Sequence, residues 1–65
     1  MTIGEKIKKL REEAGLSQHK LADKLGTNQR NISSWEIGRN DPTIFNCIVL
    51  ADYFGITLDE LCCRK

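Results

Sequence analysis

Apolar residues along this chain recur at intervals of three and four and almost never alternate, a pattern that predicts helices and no sheet. Thr2 and Glu5 have the spacing of a capping box, Ile3, Ile7, Leu10 and Ala14 then fall on one face, and Gly15 offers a left-handed stop. Ser17 can cap a second helix that carries Leu21, Ala22 and Leu25 and halts at Gly26. Asn28 can cap a third, with Ile32 and Trp35 inward and Gly38 at its end. Asp41-Pro42 holds the chain extended, and Thr43 can open a fourth helix with Ile44, Cys47, Ile48, Ala51 and Phe54 inward and Leu50 at the edge of the core. Gly55 ends it. Thr57 with Glu60 repeats the capping box, with Ile56 placed to staple onto Leu61. The expectation is an all-α, compact five-helix domain over residues 1–65, with no repeat or linker.

The 65 residues, 40% apolar and 29% charged, suit one globular core and leave no room for a second. The longest apolar run, Ile48–Ala51, is far short of the ~20 residues of a membrane span. Met1–Glu5 lacks the charged start and apolar stretch of a secretory signal, so a cytoplasmic protein is expected. The start at Met1 and the end soon after the fifth helix lead to the expectation of a whole protein. The net charge of +1 names no partner by itself. Residues 1–40, however, hold eight basic side chains against five acidic, and residues 41–65 two against four, so a polyanion meets the first part more favourably.

The three cysteines, Cys47, Cys62 and Cys63, are too few and too close for a disulfide framework, and His19 stands far from them. Reduced thiols, with Cys47 buried, are expected, and no metal. There is no nucleophile–base pair and no glycine-rich phosphate loop, so no enzyme and no cofactor is expected, nor a small-molecule ligand.

The third helix carries the most information. Gln29, Arg30, Ser33 and Ser34 present hydrogen-bonding side chains of graded length on the face opposite Ile32 and Trp35, with Ile37 extending the row. A surface helix has such a face simply because water solvates it. The same face also fits a DNA major groove, where Gln pairs with adenine and Arg with guanine in bidentate fashion.

Residues 18–37, Gln-His-Lys-Leu-Ala-Asp-Lys-Leu-Gly-Thr-Asn-Gln-Arg-Asn-Ile-Ser-Ser-Trp-Glu-Ile, resemble the helix-turn-helix of the phage lambda repressor and Cro family, also called the Xre family. Leu21 and Leu25 match core positions of its first helix, Ala22 the small residue at the helix crossing, and Gly26 the turn glycine. The similarity continues through Leu16-Ser17-Gln18, Gly38–Pro42 and Leu58–Leu61. Trp35 is larger than the aliphatic residue often found there and is expected in the core; His19 is expected as a solvated neighbour of Gln18.

The resemblance implies a lambda-repressor-like domain whose recognition helix, about residues 28–37, reads double-stranded DNA. It implies base contacts from Gln29, Arg30, Ser33 and Ser34, and phosphate contacts from Ser17, Gln18, Asn28, Asn31, Arg39, Asn40 and Thr43. Gln18 would also brace Gln29. Arg11 and Glu36 stand where relatives carry a partly buried ion pair. Phe45, Val49 and Tyr53 form an apolar stripe on the fourth helix that either lies over the core or joins two copies, with Cys62 and Cys63 near the axis incidentally. The function expected is transcriptional regulation, most simply repression, by a dimer on a palindromic operator. The other reading is an antitoxin-like or anti-repressor module that binds a protein through the fourth helix.

Overall fold

Each helix starts on a side-chain cap, because the first backbone N–H groups of a helix have no partner within it. In the computed structural model, which describes residues 1–62, α1 is Ile3–Glu13, α2 Gln18–Leu25, α3 Gln29–Glu36, α4 Ile44–Phe54 and α5 Leu58–Leu61. Thr2, Ser17, Asn28, Thr43 and Thr57 accept from the backbone N–H three residues on, in every case. Both capping boxes close: Thr2 N–H donates to Glu5 Oε1 at 2.8 Å and Thr57 N–H to Glu60 Oε1 at 3.0 Å. Those backbone bonds to the charged form hold both carboxyls below their ordinary pKa. The helices α2 and α4 end on Gly26 and Gly55, both in the left-handed region with φ of 70°.

The core is Ile7 from α1, Leu21 and Ala22 from α2, Ile32 and Trp35 from α3, Cys47, Leu50 and Ala51 from α4, and Leu61 from α5. Ile3, Leu10, Leu16, Leu25, Phe54 and Ile56 close its edges. Ala22, at 1% exposure, keeps α2 and α3 close, as its size requires. Trp35 is buried as expected, at 5% exposure.

Two expectations about faces need correction. Ala14 is exposed, because α1 stops at Glu13 and Ala14 serves as its C-cap. On α4 the buried seam is Cys47, Leu50, Ala51 and Phe54, at helical spacings of three, one and three. Leu50 is therefore central and fully buried, while Ile44 and Ile48, expected inward, are 69% and 43% exposed. The helix is apolar nearly all round, so periodicity did not select its inward side. Among the described residues no helix is long and apolar enough to cross a membrane.

Candidate nucleic-acid interface

The turn from α2 to α3 runs through Gly26, Thr27 and Asn28, and brings Gln18 at the start of one helix beside Gln29 at the start of the next. Beneath them lies a buried ion pair. Arg11 Nε donates to Glu36 Oε2 at 2.6 Å and its Nη2 to Oε1 at 3.2 Å, while Nη1 donates to the Leu16 carbonyl at 2.8 Å. The two side chains are only 11% and 3% exposed. The hydrogen bond to Glu36 raises the guanidinium pKa further, outweighing the opposite effect of burial. The expected Arg11–Glu36 pair is thus formed, in the two-pronged geometry that suits arginine.

The pair extends to the surface. Gln18 Nε2 donates to Glu36 Oε1 at 3.0 Å, and Gln29 Nε2 donates to Gln18 Oε1 at 3.4 Å. The polarity of this chain follows from its buried end. A carboxylate only accepts, so Gln18 must turn its amino group to Glu36 and its oxygen to Gln29. Gln29 then spends one N–H on Gln18 and keeps its carbonyl oxygen and second N–H for the exterior.

Asn28, Arg30, Asn31, Arg39, Asn40 and Thr43 are exposed, Gln18 and Ser33 are half-buried, and Ser17 is exposed at the α2 cap. Ser34 is the correction. Its residue is 9% exposed, because the chain folds back after α3 and both Arg39 N–H (2.9 Å) and Asn40 N–H (3.4 Å) donate to its carbonyl. It belongs to the loop anchor and not to the open stripe Gln29, Arg30, Ser33, Ile37. Sequence reasoning missed Thr27, whose hydroxyl accepts from Asn31 Nδ2 at 2.7 Å and holds that amide at the rim. Threonine beside a turn glycine gave no signal for this.

His19 is exposed, 3.6 Å from Asp23. Cys47 is buried, its thiol donating to the Pro42 carbonyl at 3.8 Å, and burial pushes its pKa up. Cys62 is half-buried, and Cys63 lies outside the described residues. Among the described residues no three His, Cys, Asp or Glu side chains gather as a metal site. On α4, Phe45 is 70% exposed, Val49 half-buried, and Tyr53 is 41% exposed with its ring edge-on to Phe54 at 5.1 Å.

Comparison with known proteins agrees with this architecture. A family model described as Helix-turn-helix matches residues 7–61. The chain is 34% identical over 61 residues to the HTH-type transcriptional activator BcrR of Enterococcus faecalis, covering 94% of this chain and 30% of that one. It superposes on a transcriptional regulator from Listeria innocua with a TM-score of 0.92 at 31% identity, covering 98% of this chain and 60% of the other. It also superposes on the P22 c2 repressor in complex with a synthetic operator, with a TM-score of 0.88 at 26% identity over 94% of this chain and 92% of the repressor chain. The chain spans between 30% and 57% of the length of four curated relatives.

Proposed function

Because this chain belongs to the Xre helix-turn-helix family, the family of the phage repressors and Cro, we propose that it is a sequence-specific DNA-binding regulator of transcription. In this reading α3 enters the major groove N-terminus first, α2 lies across the backbone, and two copies occupy a near-palindromic operator with repression as the outcome. The observation that carries it is the buried Arg11–Glu36 pair, relayed through Gln18 to Gln29 on the exposed start of α3. A merely solvated face has no need of a side chain held from below.

The relay suggests what Gln29 reads. Adenine offers an N6 amino donor and an N7 acceptor, and the outward oxygen and N–H of Gln29 complement that pair. Arg30, exposed beside it, complements O6 and N7 of guanine. Phosphate contacts fall to Arg39 as the cation, and to Ser17, Gln18, Asn28, Asn31, Asn40 and Thr43 as neutral donors around the N-termini of α2, α3 and α4. Affinity should therefore fall with salt. A protein-binding module, which the exposed Ile44 and Phe45 would favour, should instead show little affinity for duplex even at low salt.

Selection from a randomised duplex pool at moderate salt tests the reading, and an enriched palindrome with half-sites about one DNA turn apart is expected. No enrichment by folded protein would sink it. Gln29→Ala should then cost about 1–3 kcal/mol of discrimination at one base position and leave the remaining positions as they were. An unchanged preferred sequence would remove Gln29 from the reading.

A further inference from the structure

Two of the three cysteines meet inside the fold. Cys47, on the buried seam of α4, is 5% exposed and belongs to the same core cluster as Leu61 of α5. Cys62 follows Leu61 directly and is the C-cap of α5, half-buried, with its N–H donated to the Leu58 carbonyl at 2.9 Å. Leu61 is fully buried, so the residue after it is drawn down against α4, and the Cys62 thiol hydrogen-bonds with that of Cys47. The DNA-facing surface uses neither sulfur.

We infer that Cys47 and Cys62 are an oxidative modification site, at which a hydroperoxide forms a reversible disulfide that ties α5 to α4. Cys62 is the more accessible sulfur and meets the oxidant first. With hydrogen peroxide, its thiolate attacks one oxygen, the O–O bond breaks, and a sulfenic acid forms while hydroxide leaves with the Cys62 proton as water. The Cys47 sulfur then attacks the Cys62 sulfur. The S–S bond forms, the S–O bond breaks, and hydroxide departs with the Cys47 proton as a second water. Two thiols lose two electrons, and one peroxide gains them.

The asymmetry of the pair suits that order. Burial first, then the charge on Cys62 and the hydrogen bond with it, push the Cys47 thiol up, so Cys47 stays protonated while Cys62 is reduced. Oxidation of Cys62 to the neutral sulfenic acid removes that charge and frees Cys47 to react. The bond would also change what holds α5. A helix of four residues does not persist by itself, and Leu61 is the one buried side chain within it. A disulfide at the next residue adds a second anchor and closes the segment from Cys47 to Cys62 in the unfolded chain. Oxidised Cys47 gives up its thiol hydrogen bond to the Pro42 carbonyl, a small loss because a thiol is a weak donor.

The test uses the 65-residue chain with Cys63→Ser, which leaves Cys47 and Cys62 as its two thiols. The folded protein is treated with excess hydrogen peroxide, then denatured and alkylated. Its intact mass should show the monomer less two hydrogens, with no alkyl group added. Cleavage after Tyr53 and Phe54 should leave two segments joined until a reductant separates them. The oxidised form should melt about 10 °C above the reduced form, and reductant should reverse the rise. Cys62→Ser, which keeps Cys47 and Cys63, should leave both thiols open to alkylation after the same treatment. The inference is overturned if the Cys63→Ser chain keeps both thiols, stops at a sulfinic acid on Cys62, or links two chains together. It is equally overturned if Cys62→Ser forms the same bond through Cys63, or if the disulfide forms without raising the melting temperature. Reduced Cys63→Ser melting like the wild type confirms that the starting material is folded.

Discussion

Replacing Arg11 with alanine is expected to lower stability by about 3–5 kcal/mol, because it strands the Glu36 carboxylate at 3% side-chain exposure without its counter-ion. Gln18 would remain as its one neutral donor. A domain of this length has in total roughly 3–10 kcal/mol, at ~0.05–0.15 kcal/mol per residue, so the variant would be close to unfolding at ordinary temperature. Thermal melting should fall by more than about 12 °C, taking ~4 °C per kcal/mol as the lower slope for small domains. Replacing both partners, Arg11→Met with Glu36→Leu, should recover much of the loss, since the cost lies in the uncompensated charge more than in the missing attraction. If Arg11→Ala melted like the wild type and only duplex affinity fell, Arg11 would be a phosphate ligand and the pair would contribute little.

The same substitution should reach the DNA-facing surface. Glu36 Oε1 accepts from both Arg11 and Gln18, so it fixes which end of the Gln18 amide faces Gln29. Glu36→Gln, which offers a donor as well as an acceptor, removes that constraint while nearly keeping the volume. The pair thereby ties fold stability and base recognition to one hydrogen-bonded chain, which runs from α1 through α3 and α2 and back to the start of α3.

The limits of helices were legible because their signals are local. A Thr followed three residues later by Glu, or a glycine after an apolar face, needs no tertiary context, and both capping boxes and the Gly26 and Gly55 ends lie where the sequence puts them. The Arg11–Glu36 pair, separated by 25 residues, came through family resemblance; charge spacing carries no such information. What stayed hidden depends on chain segments returning from a distance. Ser34 is covered by a loop whose path is not encoded in the α3 period, and α4 has too many apolar positions for its pattern to choose a side. Gly4 shows the same effect most sharply.

Gly4 sits in the first turn of α1, where glycine is usually a defect costing about 0.5–1 kcal/mol relative to alanine. Here it is buried against the end of α3. A Cβ built at this position would run into the Trp35 carbonyl oxygen and come within 2.9 Å of the Glu36 carbonyl oxygen, both backbone atoms with no side-chain freedom to yield. Gly4→Ala should therefore destabilise by about 1–3 kcal/mol as an overpacking substitution, in spite of alanine's better helix propensity. The residues that must shift are Trp35, a core side chain, and Glu36, the buried carboxylate, so duplex affinity should fall with stability. Gly15→Ala provides the contrast. No atom lies within 4 Å of a Cβ there, and the cost comes from φ of +72° alone, about 1–2 kcal/mol with no effect on the α1–α3 contact. Thermal melts and duplex titrations of the two variants side by side separate the mechanisms: Gly15→Ala should lower melting and leave the affinity of the folded protein intact, whereas Gly4→Ala should lower both. A Gly4→Ala protein that melts at or above the wild type would mean that α1 and α3 pack less closely than this contact requires.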